Sequence, residues 1–204
     1  MNNPQIAGRK RASDWRALRK ILLEQSTPQL WEQACRDFFI ERLETRYFEP
    51  IRRLQAEGAW AGQGFAIMVI LCSLVEFLES TVRGLKYKYR GPCGQYEYDS
   101  SREVFMDFLV SRKPFSDVFR DRDIALEFYQ AVRCGLMHEA QTKSGWVIWA
   151  KSYRKAIIDR GQRKVYRDDF YDAICEVVQD YAKQLVSDGE LQAAFIRKYD
   201  GLCE

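Results

Sequence analysis

Histidine is almost missing from this chain. Its 204 residues contain one, His138, so no single copy can supply the imidazole pair that many acid–base and metal sites need. Cysteine is present but never paired in sequence. Cys35, Cys72, Cys93, Cys134, Cys175 and Cys203 stand alone with no C-x-x-C among them, which excludes a thioredoxin-type motif and leaves no zinc tetrahedron to complete. Charge of one sign is also lacking. Lys and Arg number 32 against 29 Asp and Glu, for a net charge of +3, so overall charge does not mark a polyanion binder. The glycine-rich stretch G-A-W-A-G-Q-G (58–64) reads as a loop. It lacks the G-K-[ST] ending of a P-loop and no strand precedes it, which argues against a nucleotide-phosphate site. The most apolar run, Phe65 to Leu78, reads as too short to span a bilayer and contains Glu76. The opening MNNPQIAGRKRASDW has no apolar stretch behind its basic residues and does not read as a secretory signal. These features together predict a soluble protein of a reducing cytoplasm, with no membrane, metal or cofactor.

What is present is a core. Hydrophobic residues make up 47% of the chain, with five Trp, eleven Tyr and twelve Phe, ample apolar surface to offset chain entropy. Residues 1–12 read as a flexible basic arm and 13–204 as a single helical domain. Ser13 or Asp14 is placed to cap a helix to about Gln25, and Thr27 with Pro28 marks a fresh start. The pattern stays helical to Glu57, with Pro50 predicted to break or kink it. The spacing predicts a central core helix from Phe65 to about Tyr87, stopped by Gly91 and Pro92. Further helices are expected over Ser101–Arg112, Asp121–Ala140 and Asp168–Val186, then a short last one. G-W-V-I-W (145–149) and R-K-V-Y-R (163–167) alternate like strands around D-R-G-Q, predicting a small β-hairpin near residues 145–167. The expected fold is mainly α, a helical bundle with that hairpin inserted.

The lone histidine closes the sequence V-R-C-G-L-M-H, five positions after Arg133. The Arg-x4-His spacing on a late helix of a bundle resembles the signature of the HEPN superfamily, helical domains whose catalytic members are metal-independent ribonucleases. The flanking Leu136 and Met137, an apolar pair before the histidine, fit as well. The resemblance extends over about 65–185 at the level of fold, and its specific part is six residues. It implies a homodimer whose two motifs line one cleft, with Arg133 and His138 as catalytic residues. Many catalytic members carry Asn, Asp or His directly after the arginine, where this chain has Cys134. The resemblance therefore admits two readings, an RNA-cleaving enzyme and a non-catalytic dimeric binding module. Such domains serve in toxin–antitoxin, phage-defence or stress systems, which implies a neutralising partner protein.

The residue types suit the chemistry. Histidine titrates near neutrality and moves protons, whereas a guanidinium stays cationic and grips phosphate oxygens in a fork. In a regular helix the two lie about 140° apart at 100° per residue, so one chain alone does not close a tight site unless Gly135 loosens the helix. Glu76, in an apolar helix, needs a partner and is expected to support Arg133 or His138. Glu79 and Arg83 read as an ordinary surface i,i+4 pair. Cys134 shares a helix face with His138; it is counted with Glu76 as a supporting residue and reads best as a small buried side chain. Two basic-aromatic stretches are candidates for RNA contact. The first holds Arg83, Lys86, Lys88 and Arg90 with Tyr87 and Tyr89; the second, stronger one holds Lys151, Arg154, Lys155, Arg160, Arg163, Lys164 and Arg167 with Tyr153 and Tyr166.

Overall fold

A computed structural model describes residues 3–57 and 62–204. It is mainly helical with three small sheets. The chain divides into two compact units, where the sequence predicts one domain. The first holds residues up to Arg52 with Ser80–Asp99 and Gln179–Glu204; the second holds Arg53–Glu79 and Ser100–Val178. The long helices Gln63–Val82 and Arg167–Leu185 contribute residues to both.

In the first unit the expected flexible arm is a hairpin. Strands Gln5–Ala7 and Lys10–Arg11 pair antiparallel, and Ile6 and Ala7 are buried, because an apolar pair inside a polar segment gains by leaving water. The helix Ala12–Gln25 follows, its Asp14 carboxylate accepting from the Arg11 N–H at 2.7 Å. Thr27 caps the next helix and Pro28 takes its first position, as predicted. The helical path then continues to Ala56 without stopping at Pro50. Two π-helical segments, Cys35–Ile40 and Glu44–Phe48, precede the Glu49–Ala56 helix. The wider turn before Pro50 accommodates a residue that cannot donate to the ladder. Trp15 centres this core, with its ring 5.3 Å from both Phe38 and Tyr199 and its indole N–H on Asp200 at 2.8 Å. The core helix ends at Val82, earlier than predicted. Gly84 turns the chain with φ +65, and a Cβ there would lie 2.7 Å from the Ala194 backbone, so close approach and left-handed geometry both require glycine. Lys86–Tyr87 then pairs in parallel with Glu97–Tyr98. The last helix, Gly189–Leu202, is capped by Asp188.

In the second unit Phe128 is the hub of an aromatic core. Its ring lies 5.2 Å from Phe119, 5.6 Å from Trp146 and 6.0 Å from Phe170. The Gln63–Val82 helix is long and apolar enough by length and composition to cross a membrane, which corrects the expectation that this run is too short. Its Ile67, Met68, Leu71, Leu74 and Val75 are fully buried inside the protein, as in the core helix of a soluble fold. The predicted helix from Asp121 to Ala140 is three pieces: Arg122–Phe128, a π-helical segment Tyr129–Cys134, and Gly135–Glu139.

The predicted hairpin is a three-stranded sheet. Val147–Trp149 pairs in parallel with Lys164–Tyr166, and Ile158–Asp159 pairs antiparallel with the same central strand. The D-R-G-Q turn therefore joins the second and third strands, not the two runs that alternate most clearly. Of the 58–64 loop, residues 58–61 lie outside the described residues, and the helix begins at Gln63.

Candidate functional site

The site lies in the second unit and starts with a carboxylate in an apolar helix. Glu76 sits among Leu74, Val75 and Leu78, all buried, where an unpaired charge would be costly. Two groups from other helices meet it. The Ser101 hydroxyl, opening the Ser101–Ser111 helix, donates to Glu76 Oε1 at 3.1 Å. Arg133 Nη2 approaches Glu76 Oε2 at 3.8 Å, with the two side chains 16% and 19% exposed. The Arg133 guanidinium also lies over the Tyr129 ring, 5.3 Å from its centroid, a cation–π contact strengthened by partial desolvation. Tyr129 hydrogen-bonds Cys134; burial pushes its phenol pKa upward, against the pull of Arg133. Beneath them Cys72, one turn before Glu76, has its thiol pushed up to about 12 by burial.

One turn below, Glu79 is 2% exposed and takes a two-pronged hydrogen bond from Arg112, Nε to Oε2 at 2.8 Å and Nη2 to Oε1 at 3.0 Å. The expected surface role for Glu79 is therefore incorrect. The i,i+4 rule describes exposed helix faces, and this face is buried against the Ser101–Ser111 helix that Arg112 follows.

Arg133 and His138 are not drawn together within the chain. Arg133 turns inward to Glu76, whereas His138 is exposed on the final turn, beside exposed Met137. Among the described residues His138 makes no hydrogen bond. Its neighbour Glu139 is held below the usual carboxylate range chiefly by the hydrogen bond from Lys143, with a smaller contribution from His138. Arg133 and Cys134 close the π-helical segment and Gly135–Glu139 is α-helical, so the path from Arg133 to His138 is mostly regular helix. Gly135 does not act as a hinge. A Cβ on it would lie 2.5 Å from the Gln141 carbonyl, because the chain turns back at Ala140 (φ 54) and the Lys143 N–H bonds the Ala131 carbonyl at 2.7 Å. An open depression of about 420 Å³ lies beside this return, lined by Glu127, Gln130, Ala131, Cys134, Lys143 and Ser144.

No family model, curated protein or solved structure matches the chain.

Of the residues singled out for RNA contact, Lys151, Arg154 and Lys155 are exposed on the loop after Trp149 and form no ion pair among the described residues. Arg160 pairs with Glu127 at 3.5 Å, and Arg163 donates to the Ser144 carbonyl. Lys164 lies over the Trp149 ring at 4.0 Å. Three members of the site, Tyr129, Ser101 and Cys72, go beyond those the sequence points to. Tyr129 carries a faint signal, four residues before Arg133, and Cys72 the same spacing from Glu76. Ser101 carries none, since only the fold brings its helix to Glu76.

Proposed function

We propose that the protein is a HEPN-like ribonuclease of the cytoplasm that cleaves RNA by transesterification, working as a homodimer. The reading is supported by one observation above others: Glu76 and Arg133, distant in sequence, meet at 3.8 Å, while His138 projects from the same helical path into solvent. A carboxylate that holds a guanidinium fixes its direction, so that a phosphate meets a positioned cation. His138 then takes the proton from a 2′-hydroxyl, the 2′-oxygen bonds to phosphorus, and the 5′-oxygen leaves, accepting a proton. The products are a 2′,3′-cyclic phosphate and a 5′-hydroxyl. One imidazole per chain serves both proton transfers if two protomers share a cleft, one as base and one as acid. Met137, a large apolar side chain exposed beside His138, suits such an interface. A defence, toxin or stress setting, with a neutralising partner protein, accords with this activity.

A second reading is favoured by the shielding of Arg133. Its charge is engaged by Glu76 and Tyr129 and Cys134 follows it, which suits a non-catalytic dimeric binding module. Incubation of labelled single-stranded RNA with purified protein in EDTA separates the two. The enzyme reading expects cleavage by the parent and none by His138→Ala or Arg133→Ala variants that keep the parent's circular dichroism. Intact RNA with the parent supports the binding module, and cleavage surviving His138→Ala refutes the assignment.

A further inference from the structure

The small sheet has an inner and an outer face, fixed by its register. Val147 pairs with Lys164, Ile148 with Val165 and Trp149 with Tyr166 in parallel, while Ile158 opposes Val165 and Asp159 opposes Lys164. Paired residues point to the same side. Val165 and Ile158 are buried, so the other side, with Val147, Trp149, Lys164 and Tyr166, faces outward. An indole 51% exposed on a strand loses hydrophobic stabilisation, yet here it is held in place by the Lys164 ammonium 4.0 Å above its ring. Four residues on, Tyr153 is fully exposed, flanked by Lys151, Arg154 and Lys155. The connecting chain cannot place the two residues' backbones more than about 14 Å apart, a span of a few nucleotides. Within the sheet Asp159 opposes Lys164, and at the far end of the loop Lys155 shares a depression with Asp117, Asp169, Asp172 and Glu176.

We propose that this outer face and the 150–155 loop form a platform for single-stranded RNA, on which one base stacks on Trp149 and another on Tyr153 while Lys151 and Arg154 follow the phosphates. Exposed π faces beside unpaired cations are what an unstacked strand requires, and a duplex hides its base faces. That the strand is RNA rests on the ribonuclease reading; the platform itself uses neither Arg133 nor His138.

The test is fluorescence anisotropy of a short labelled oligonucleotide with the His138→Ala protein, in which cleavage is removed. Adding Trp149→Ala or Tyr153→Ala is expected to raise Kd by about ten-fold each. Adding Lys151→Ala with Arg154→Ala is expected to reduce the salt dependence by about 0.7 in log–log slope for each phosphate no longer neutralised. Tyr153 buries nothing, so its variant keeps the test valid if the Trp149 change disturbs the sheet. Binding indifferent to both aromatic changes overturns the platform, as does equal affinity for duplex, binding of DNA but not RNA, or no RNA binding at all, the last pointing to a protein partner. RNA cleavage by the parent with aromatic-independent binding refutes the platform alone. Aromatic-dependent binding without cleavage refutes the nuclease alone.

Discussion

Removing Arg112 strands a carboxylate. Glu79 is 2% exposed and its two oxygens accept from Arg112 at 2.8 and 3.0 Å. In Arg112→Ala those oxygens keep their charge and lose both donors in a site that water barely reaches. Breaking a buried pair in this way costs about 3–5 kcal/mol. The lower end applies here, since Arg112 is 30% exposed and water enters partly where its side chain was. A loss of about 3 kcal/mol corresponds to a fall in Tm of about 6–12 °C for a chain of this size. The double variant Arg112→Met with Glu79→Leu should recover most of that loss, because no charge is left behind. Thermal melts and urea unfolding of the parent, the single and the double variant measure both quantities. The single change also touches the site, because the helices joined by Arg112 and Glu79 are those joined by Ser101 and Glu76. A Tm within about 2 °C of the parent's for Arg112→Ala, or a double variant as unstable as the single, would refute the reasoning.

Other positions give three more expected outcomes. Gly135→Ala brings a Cβ to 2.5 Å from the Gln141 carbonyl; it should cost about 1–3 kcal/mol in urea unfolding, and a neutral result would mean that the returning loop is free to shift. Cys35 and Cys72, whose thiols burial pushes up to about 12 from 9.0, should resist a thiol reagent in the native protein while exposed Cys93 reacts at once. Because their folded values lie above the unfolded ones, each thiol's contribution is complete below about pH 9 and is lost as pH rises towards about 12, roughly 1.4 kcal/mol by about pH 10; a Cys72→Ala protein should lose correspondingly less stability than the parent between about pH 8 and 10. Asp188→Ala removes the cap that accepts from Glu190 and Leu191 N–H at 2.9 and 3.1 Å and should destabilise by about 1 kcal/mol, read from the urea midpoint.

Local chemistry explains what is legible in the chain alone. Thr27 with Pro28, and Asp121 before Ile124, announce helix starts because capping is decided within four residues. Glu76 declares its need for a partner because an apolar helix leaves a carboxylate little choice, and Arg133 is the guanidinium that meets it. The rest depends on distance along the chain. Gly84 ends the core helix through an approach to Ala194, far along the sequence. The pairing of Val147–Trp149 with Lys164–Tyr166 skips over a nearer strand, and alternation carries no information on strand order. Proximity in sequence assigns Glu79 to Arg83, whereas Arg112 reaches it from another helix. The π-helical segments have no residue signature at all, since their side chains are those of any amphipathic helix.

The π-helical turn at Tyr129–Cys134 makes the helical path tolerant of count. Such a turn holds one residue more than an α-turn between the same flanks. Shortening it by one residue would restore the regular ladder with both flanks on the faces they now hold, whereas one residue lost from a regular α-turn swings everything beyond by about 100° around the axis. The wide turn thus absorbs a change in residue number that a regular helix would pass on as rotation, and His138 keeps its bearing across it. Two chains that differ by one residue in that turn would still aim their histidines at the same neighbours.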